Sequence, residues 1–147
     1  DPLSFSDHGA SLSLSFLDCG VPSTAYYPKA AELAGRLLDH LASEEPDVIV
    51  LELGDGLLGA YGVDEILEDT GFQARTTSVI LAANDVVGAW AGTLRLREMG
   101  YQVSVVTGPA TDNPSGVAKL ESMGIPAANI LREPSKLTRL VEEGVGL

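Results

Sequence analysis

A chain of 147 residues with 45% apolar side chains has enough material for one buried core, which excludes a disordered polypeptide. Its 21 acidic against 9 basic side chains give a formal charge of −12, which repels phosphate backbones and anionic lipid and so argues against nucleic-acid binding and a peripheral membrane role. No apolar run reaches the ~18 residues of a membrane helix. The single cysteine, Cys19, excludes an internal disulfide and a multi-cysteine metal site, in keeping with a reducing cytoplasm. Nine acids and no Lys or Arg lie between Glu44 and Asp69.

Taken in chain order, Leu12 to Leu17 alternates apolar and polar residues, the pattern of a half-buried strand, and delivers Asp18 to that strand's C-terminal end. Gly20, Pro22, Ser23 and Thr24 form a turn-rich loop, and Pro28 suits a first helical turn. Ala30, Ala34, Leu37, Leu38 and Leu41 then space an amphipathic helix that ends near Glu44-Glu45-Pro46. Asp47 to Leu51 is a β-branched apolar run expected of a strand covered on both faces, closing in Glu52-Leu53-Gly54-Asp55-Gly56. A short acidic helix over about Val63 to Asp69 precedes a second buried strand, Thr76 to Ala83, ending in Asn84-Asp85. Val86, Val87, Trp90, Ala91 and Leu94 mark a helix stripe closed by Gly100, with Trp90 read as core. Tyr101 to Val106 is a third such strand and opens into the loop Thr107 to Asn113, where Asn113 caps a helix that starts at Pro114 and stops at Gly124. A short apolar segment around Ile130 and a helix from about Pro134 to Glu143 complete the chain.

This alternation predicts a single α/β domain over 1–147: three layers, with a mostly parallel sheet of about five strands and helices on both faces. Ligands of such sheets bind beyond the carboxyl ends of the strands. Those ends carry Asp18, Glu52 with Asp55, Asn84 with Asp85, and Thr107 to Asn113.

The string Gly54-x-Gly56-x-x-Gly59 matches a dinucleotide fingerprint in letters only. Glu52 and Asp55 would set two carboxylates beside the pyrophosphate, and Asp85 stands 31 residues beyond Gly54 rather than the ~20 expected of a ribose-binding acid. The same residues read better as the acidic end of a buried strand that holds a divalent cation, as a Walker-B acid does; the plainer reading is a solvated or capping Glu52. Asp18 is either a second metal or base carboxylate or a loop N-cap. Ser23 and Thr24 could donate to an anion or simply shape a turn. No serine sits in a G-x-S-x-G elbow, His8 and His40 have no ligand partner at helical spacing, and Asp18 beside Cys19 disfavours a thiolate.

Phe16 to Thr24 (FLDCGVPST), Asp47 to Leu57 (DVIVLELGDGL), Ala82-Ala83-Asn84-Asp85 and Val106 to Thr111 (VTGPAT) together resemble the later part of a dethiobiotin-synthetase-like P-loop NTPase, more narrowly an uncharacterised branch with D-x-G-x-P-S-T before E-x-x-D-G-L. The resemblance implies a P-loop NTPase-like, Rossmann-like fold and Mg²⁺ and ATP as cofactors, with Asp18, Glu52 and Asp55 toward the metal. Thr107, Gly108, Pro109 and Asn113 would meet the purine base, and Ser23 and Thr24 a small-molecule acceptor. The implied function is a Mg-ATP-dependent ligase or synthetase of unassigned reaction, with a homodimer allowed. The G-x-x-x-x-G-K-[ST] loop of that superfamily is absent, and its phosphate-binding lysine with it. Asp1 to Ser11 reads as the tail of a preceding connection, so the chain is expected to be the C-terminal portion of a larger domain whose P-loop segment lies upstream or in another chain. The competing expectation is a non-catalytic α/β module that binds a ligand or a protein and takes no nucleotide cofactor.

Overall fold

The computed structural model describes residues 2–146, and their contacts divide the chain into two compact units, Asp1–Phe72 and Gln73–Leu147. In the first unit α1 (Pro2–Asp7) and a 3-10 turn (Phe16–Cys19) precede α2 (Ala30–Ser43) and α3 (Val63–Glu68), and the unit boundary falls within α4 (Thr70–Arg75). α2 packs on α3 through Ala30, Leu33 and Ala34 against Val63, Ile66 and Leu67, all of them buried. Burial of this apolar set, at ~25 cal/mol per Å², stabilises both helices, which are too short to persist alone.

The five-stranded, three-layer sheet is not formed: among the described residues the strands are two, parallel, and accompanied by seven α-helices. The alternating segment Leu12 to Leu17 fails as a strand because a local capping interaction takes its end. Ser15 N–H donates to Asp18 Oδ2 at 2.7 Å while Leu17 N–H donates to Ser15 Oγ at 3.2 Å, which winds Phe16–Cys19 into the 3-10 turn. Asp18 is therefore a cap rather than the terminal residue of a strand. Asp47 to Leu51 is irregular, with Val48 47% and Val50 64% exposed. β-propensity needs a hydrogen-bonded neighbour to be realised, and no strand pairs with this segment among the described residues. The segment around Ile130 is likewise a turn: the chain touches the sheet earlier, through a parallel bridge from Ala127 to Val106.

The second unit is built on β1 (Val79–Ala82) and β2 (Val103–Thr107), joined by α5 (Val86–Glu98) as parallel strands require. Leu81 pairs with Val106 and Ala82 with Thr107. On the far side of β2, Val106 N–H donates to the Pro126 carbonyl at 2.8 Å and Ala128 N–H to the Val106 carbonyl at 3.0 Å. Val105, Val106, Leu96, Leu120 and Ile125 form the core, closed by α6 (Pro114–Ser122) and α7 (Pro134–Val145). Asn113 caps α6 as expected, its Oδ1 accepting from Ser115 N–H at 2.9 Å. Trp90 corrects the sequence reading: Val87, Trp90 and Leu94 are 70%, 43% and 39% exposed, and α5 instead buries Ala89, Thr93 and Leu96. Thr93 is accommodated because its hydroxyl donates to the Ala89 carbonyl at 2.8 Å, leaving no unpaired polar atom.

α7 lies close on the sheet because Gly144 has no side chain. A Cβ there would collide with Ser104 Oγ and come within 2.7 Å of Ser78 Oγ, two hydroxyls that bond each other at 2.9 Å. In an ordinary helix Gly→Ala gains up to ~1 kcal/mol. Here Gly144→Ala is expected to lose about 1–3 kcal/mol in urea denaturation, and Ser104→Gly in the same chain to recover part of it. α7 is also tied to α6 by Lys136 Nζ and Glu121 Oε1 at 2.8 Å, with Glu133 at 3.5 Å. The Glu121 carboxylate holds the Lys136 pKa above its ordinary value. A raised folded pKa contributes stability below the unfolded value of ~10.4 and loses it as pH rises through the folded value. Lys136→Met should cost at most ~1 kcal/mol at pH 7, and the difference should shrink in melting curves as pH rises beyond the ordinary lysine range.

Candidate functional site

The loop that follows β2 is braced at both ends. Gly108, at φ 81°, lies against β1: a Cβ there would sit 3.0 Å from the Ala83 carbonyl oxygen and 3.1 Å from Ala83 N. This approach lets Ala83 N–H donate to the Thr107 carbonyl at 3.1 Å and Ala110 N–H to the Ala83 carbonyl at 2.9 Å. Thr111 is buried, its hydroxyl donating to the Gly108 carbonyl at 2.7 Å. Behind it sits Asn129, 3% exposed, whose Nδ2 donates to Thr111 Oγ1 at 3.2 Å and Asp112 Oδ1 at 2.9 Å. Its Oδ1 accepts from Leu131 and Arg132 N–H at 3.0 and 3.1 Å. Four bonds from one buried amide fix the loop.

At the start of this loop, on the last residue of β2, Thr107 Oγ1 is buried and has no hydrogen-bond partner among the described residues. A buried hydroxyl left so costs about 1–3 kcal/mol, and a polar group arriving from outside would recover it. The structure thus brings together Thr107, Gly108, Pro109 and Asn113 on one ordered loop at the carboxyl ends of a parallel pair. Asp85, at the end that β1 contributes, is already engaged as the cap of α5, accepting from Gly88 N–H at 2.8 Å.

In the first unit the expected residues disperse. Asp18 is exposed and its Oδ2 accepts from the Ser15 backbone, as above. Ser23 Oγ accepts from Ala25 N–H at 3.1 Å, which is turn chemistry. Thr24, Glu52 and Asp55 line a common cavity of about 730 Å³, whose wall does not include Asp18. Residues 10–17 and 48–55 line this cavity together with Leu33, Leu37 and Leu41 of α2 and Ile66 of α3. Apolar side chains and hydroxyls make up most of its wall; its charged members are Glu44, Glu52 and Asp55, and no Lys, Arg or His lines it. Asp55 lies over Gly59, so the glycine string Gly54-x-Gly56-x-x-Gly59 carries a carboxylate where a fingerprint loop offers bare N–H groups.

Mg²⁺ uses one or two carboxylates, waters and substrate phosphates. Glu52 and Asp55 fit such a donor set in kind, whereas Asp18 is committed to its cap. No three His, Cys, Asp or Glu side chains converge among the described residues. No cation in the cavity wall would neutralise the phosphates.

Sequence reasoning missed two features, the cavity and Asn129. The signal for Asn129 was its place after Pro126-Ala127-Ala128, a polar side chain in a short, small, apolar run. Asn129→Ala is expected to cost about 2–3 kcal/mol in urea denaturation by orphaning buried partners. Asn129→Asp should cost more at pH 7, where two carboxylates would face each other at Asp112, and should recover as pH falls through the carboxylate range. No family model, no curated protein and no solved structure matches the chain.

Proposed function

We propose that the chain is part of a Mg-ATP-dependent small-molecule ligase or synthetase of the P-loop kind, its reaction unassigned, in which the loop Thr107 to Asn113 receives the nucleotide base. The observation that carries this reading is the buried Thr107 Oγ1, without a hydrogen-bond partner among the described residues, at the start of a loop already locked by Asn129. A preorganised loop at the carboxyl end of parallel strands is where open α/β proteins take ligands, and its ordering cost is met before a ligand arrives. The carbonyls of Gly108 and Pro109 are taken by Thr111 and Asp112, which leaves the exposed Pro109 ring as the apolar face offered to a purine. The motif resemblance supports the same reading, with Glu52, assisted by Asp55, assigned to Mg²⁺.

Titration of adenosine into the isotopically labelled chain tests the loop by itself. Amide shifts confined to Thr107, Gly108 and Asn113, and weakened by Thr107→Val, are the expected result; shifts elsewhere or none reject the assignment. For Glu52 the expected outcome, in a protein that also carries a phosphate loop, is loss of Mg²⁺-dependent ATP binding on Glu52→Gln. Unchanged affinity in calorimetry rejects its role.

A second reading, a non-catalytic binding module, is favoured by the apolar cavity of the first unit. Apolar pockets of ~300–1,000 Å³ with a few polar groups are the usual form of small-ligand sites. The two readings part in a melting screen: stabilisation by neutral apolar probes with none by Mg-ATP supports the module, and the reverse supports the nucleotide reading.

A further inference from the structure

We propose that the cavity of the first unit is a docking groove for an extended apolar strand of a second polypeptide, one that carries Lys or Arg just beyond its apolar residues. The proposal deepens the binding-module reading and rests on it.

The walls of the groove argue for a strand. Ser11–Leu14 and Val48–Leu51 border it without belonging to any helix or strand, and neither stretch makes a backbone hydrogen bond among the described residues. Their N–H and C=O groups are unspent where they line the cavity. Val48-Ile49-Val50-Leu51 is the stretch richest in β-formers in this unit, and it leaves Val48 and Val50 about half exposed or more. A long, apolar, unpaired stretch of this kind is what folded proteins pair or cover. A strand laid beside it satisfies the backbone and covers Val48 and Val50 in one step, the mode of β-strand addition. A small apolar molecule would fill the trough but leave the backbone unpaired.

Size sets the length of the occupant. With ~3.3 Å rise per residue, ~4.8 Å between strands and ~10 Å between packed layers, a five-residue strand sweeps about 800 Å³. The cavity measures about 730 Å³.

Charge sets its composition. Glu44 and Asp55 stand in a wall that carries no Lys, Arg or His, in a chain of net charge −12. A second copy of this chain would bring like charge to that wall and is disfavoured. An apolar strand ending in a cation meets both the trough and its acids.

The test uses the 147-residue chain and a fluorescein-labelled eight-residue peptide with five alternating Val, Thr and Ile residues and lysines after them. Expected are saturable binding by anisotropy, at least tenfold weaker binding when the lysines are replaced by glutamates, and slowed amide exchange at Val48–Leu51. N-methylation of alternate peptide amides should weaken binding at least tenfold without touching the protein, so the result does not depend on how Val50→Pro folds; that variant should bind equally poorly. Failure of the lysine peptide to bind, equal binding of the glutamate or N-methylated peptide, or unprotected amides at Val48–Leu51 would overturn the proposal. Nile red separates the two levels: its binding without peptide binding leaves an apolar cavity and removes the strand, whereas binding of neither removes both. Concentration-dependent dimerisation that competes with the peptide would make a second copy the occupant and overturn the choice made above.

Discussion

Backbone pairing is the constraint on which the rest of the structure depends. A peptide group taken out of water needs a partner, and an extended segment cannot supply one to itself as a helix can. In the second unit the constraint is met: β2 is paired by β1 on one side and bridged near Ala127 on the other. That pairing buries Val105 and Val106, brings Ala83 against Gly108, and so places the loop that Asn129 then locks. In the first unit Val48–Leu51 makes no backbone hydrogen bond among the described residues, and the stretch lines a cavity.

The same constraint explains what could be read from the sequence. Helices were legible because their hydrogen bonds and caps are local: the spacing of Ala30, Ala34, Leu37 and Leu41, and the pair Asn113-Pro114, carry their own meaning, and α2 and α6 form where that chemistry lies. β1 and β2 were legible because each has the other. Leu12 to Leu17 and Asp47 to Leu51 have equally good strand composition, yet composition does not state whether a neighbour exists. In the first of these, Ser15 and Asp18 also offered the backbone a nearer partner. Trp90 misled for a different reason, since Val87, Trp90 and Leu94 are spaced as a helix face, and a burial face has to be chosen by the sheet it meets.

The candidate site was legible in part. Thr107 to Asn113 stood out from the position of the loop after an apolar strand, and its residues do share one ordered segment. The acids of the first unit were read as a converging set, but Asp18 is consumed by a cap while Glu52 and Asp55 border an apolar trough. A carboxylate at the end of a run has the same spelling whether it faces a cation, a capped turn or the mouth of a cavity; the side chains around it make the difference, and most of these lie far along the chain.

The contact of Gly144 with Ser78 and Ser104 has a consequence for finding relatives of this chain. The three positions share one small volume between α7, β2 and the entry to β1, so their sizes are coupled: a larger residue at one has to be offset by a smaller one at another. Such a triplet keeps its total size while its letters change. In a sequence too diverged to align by identity, conserved volume at these three spacings would still reveal the same helix seated on the same pair of strands.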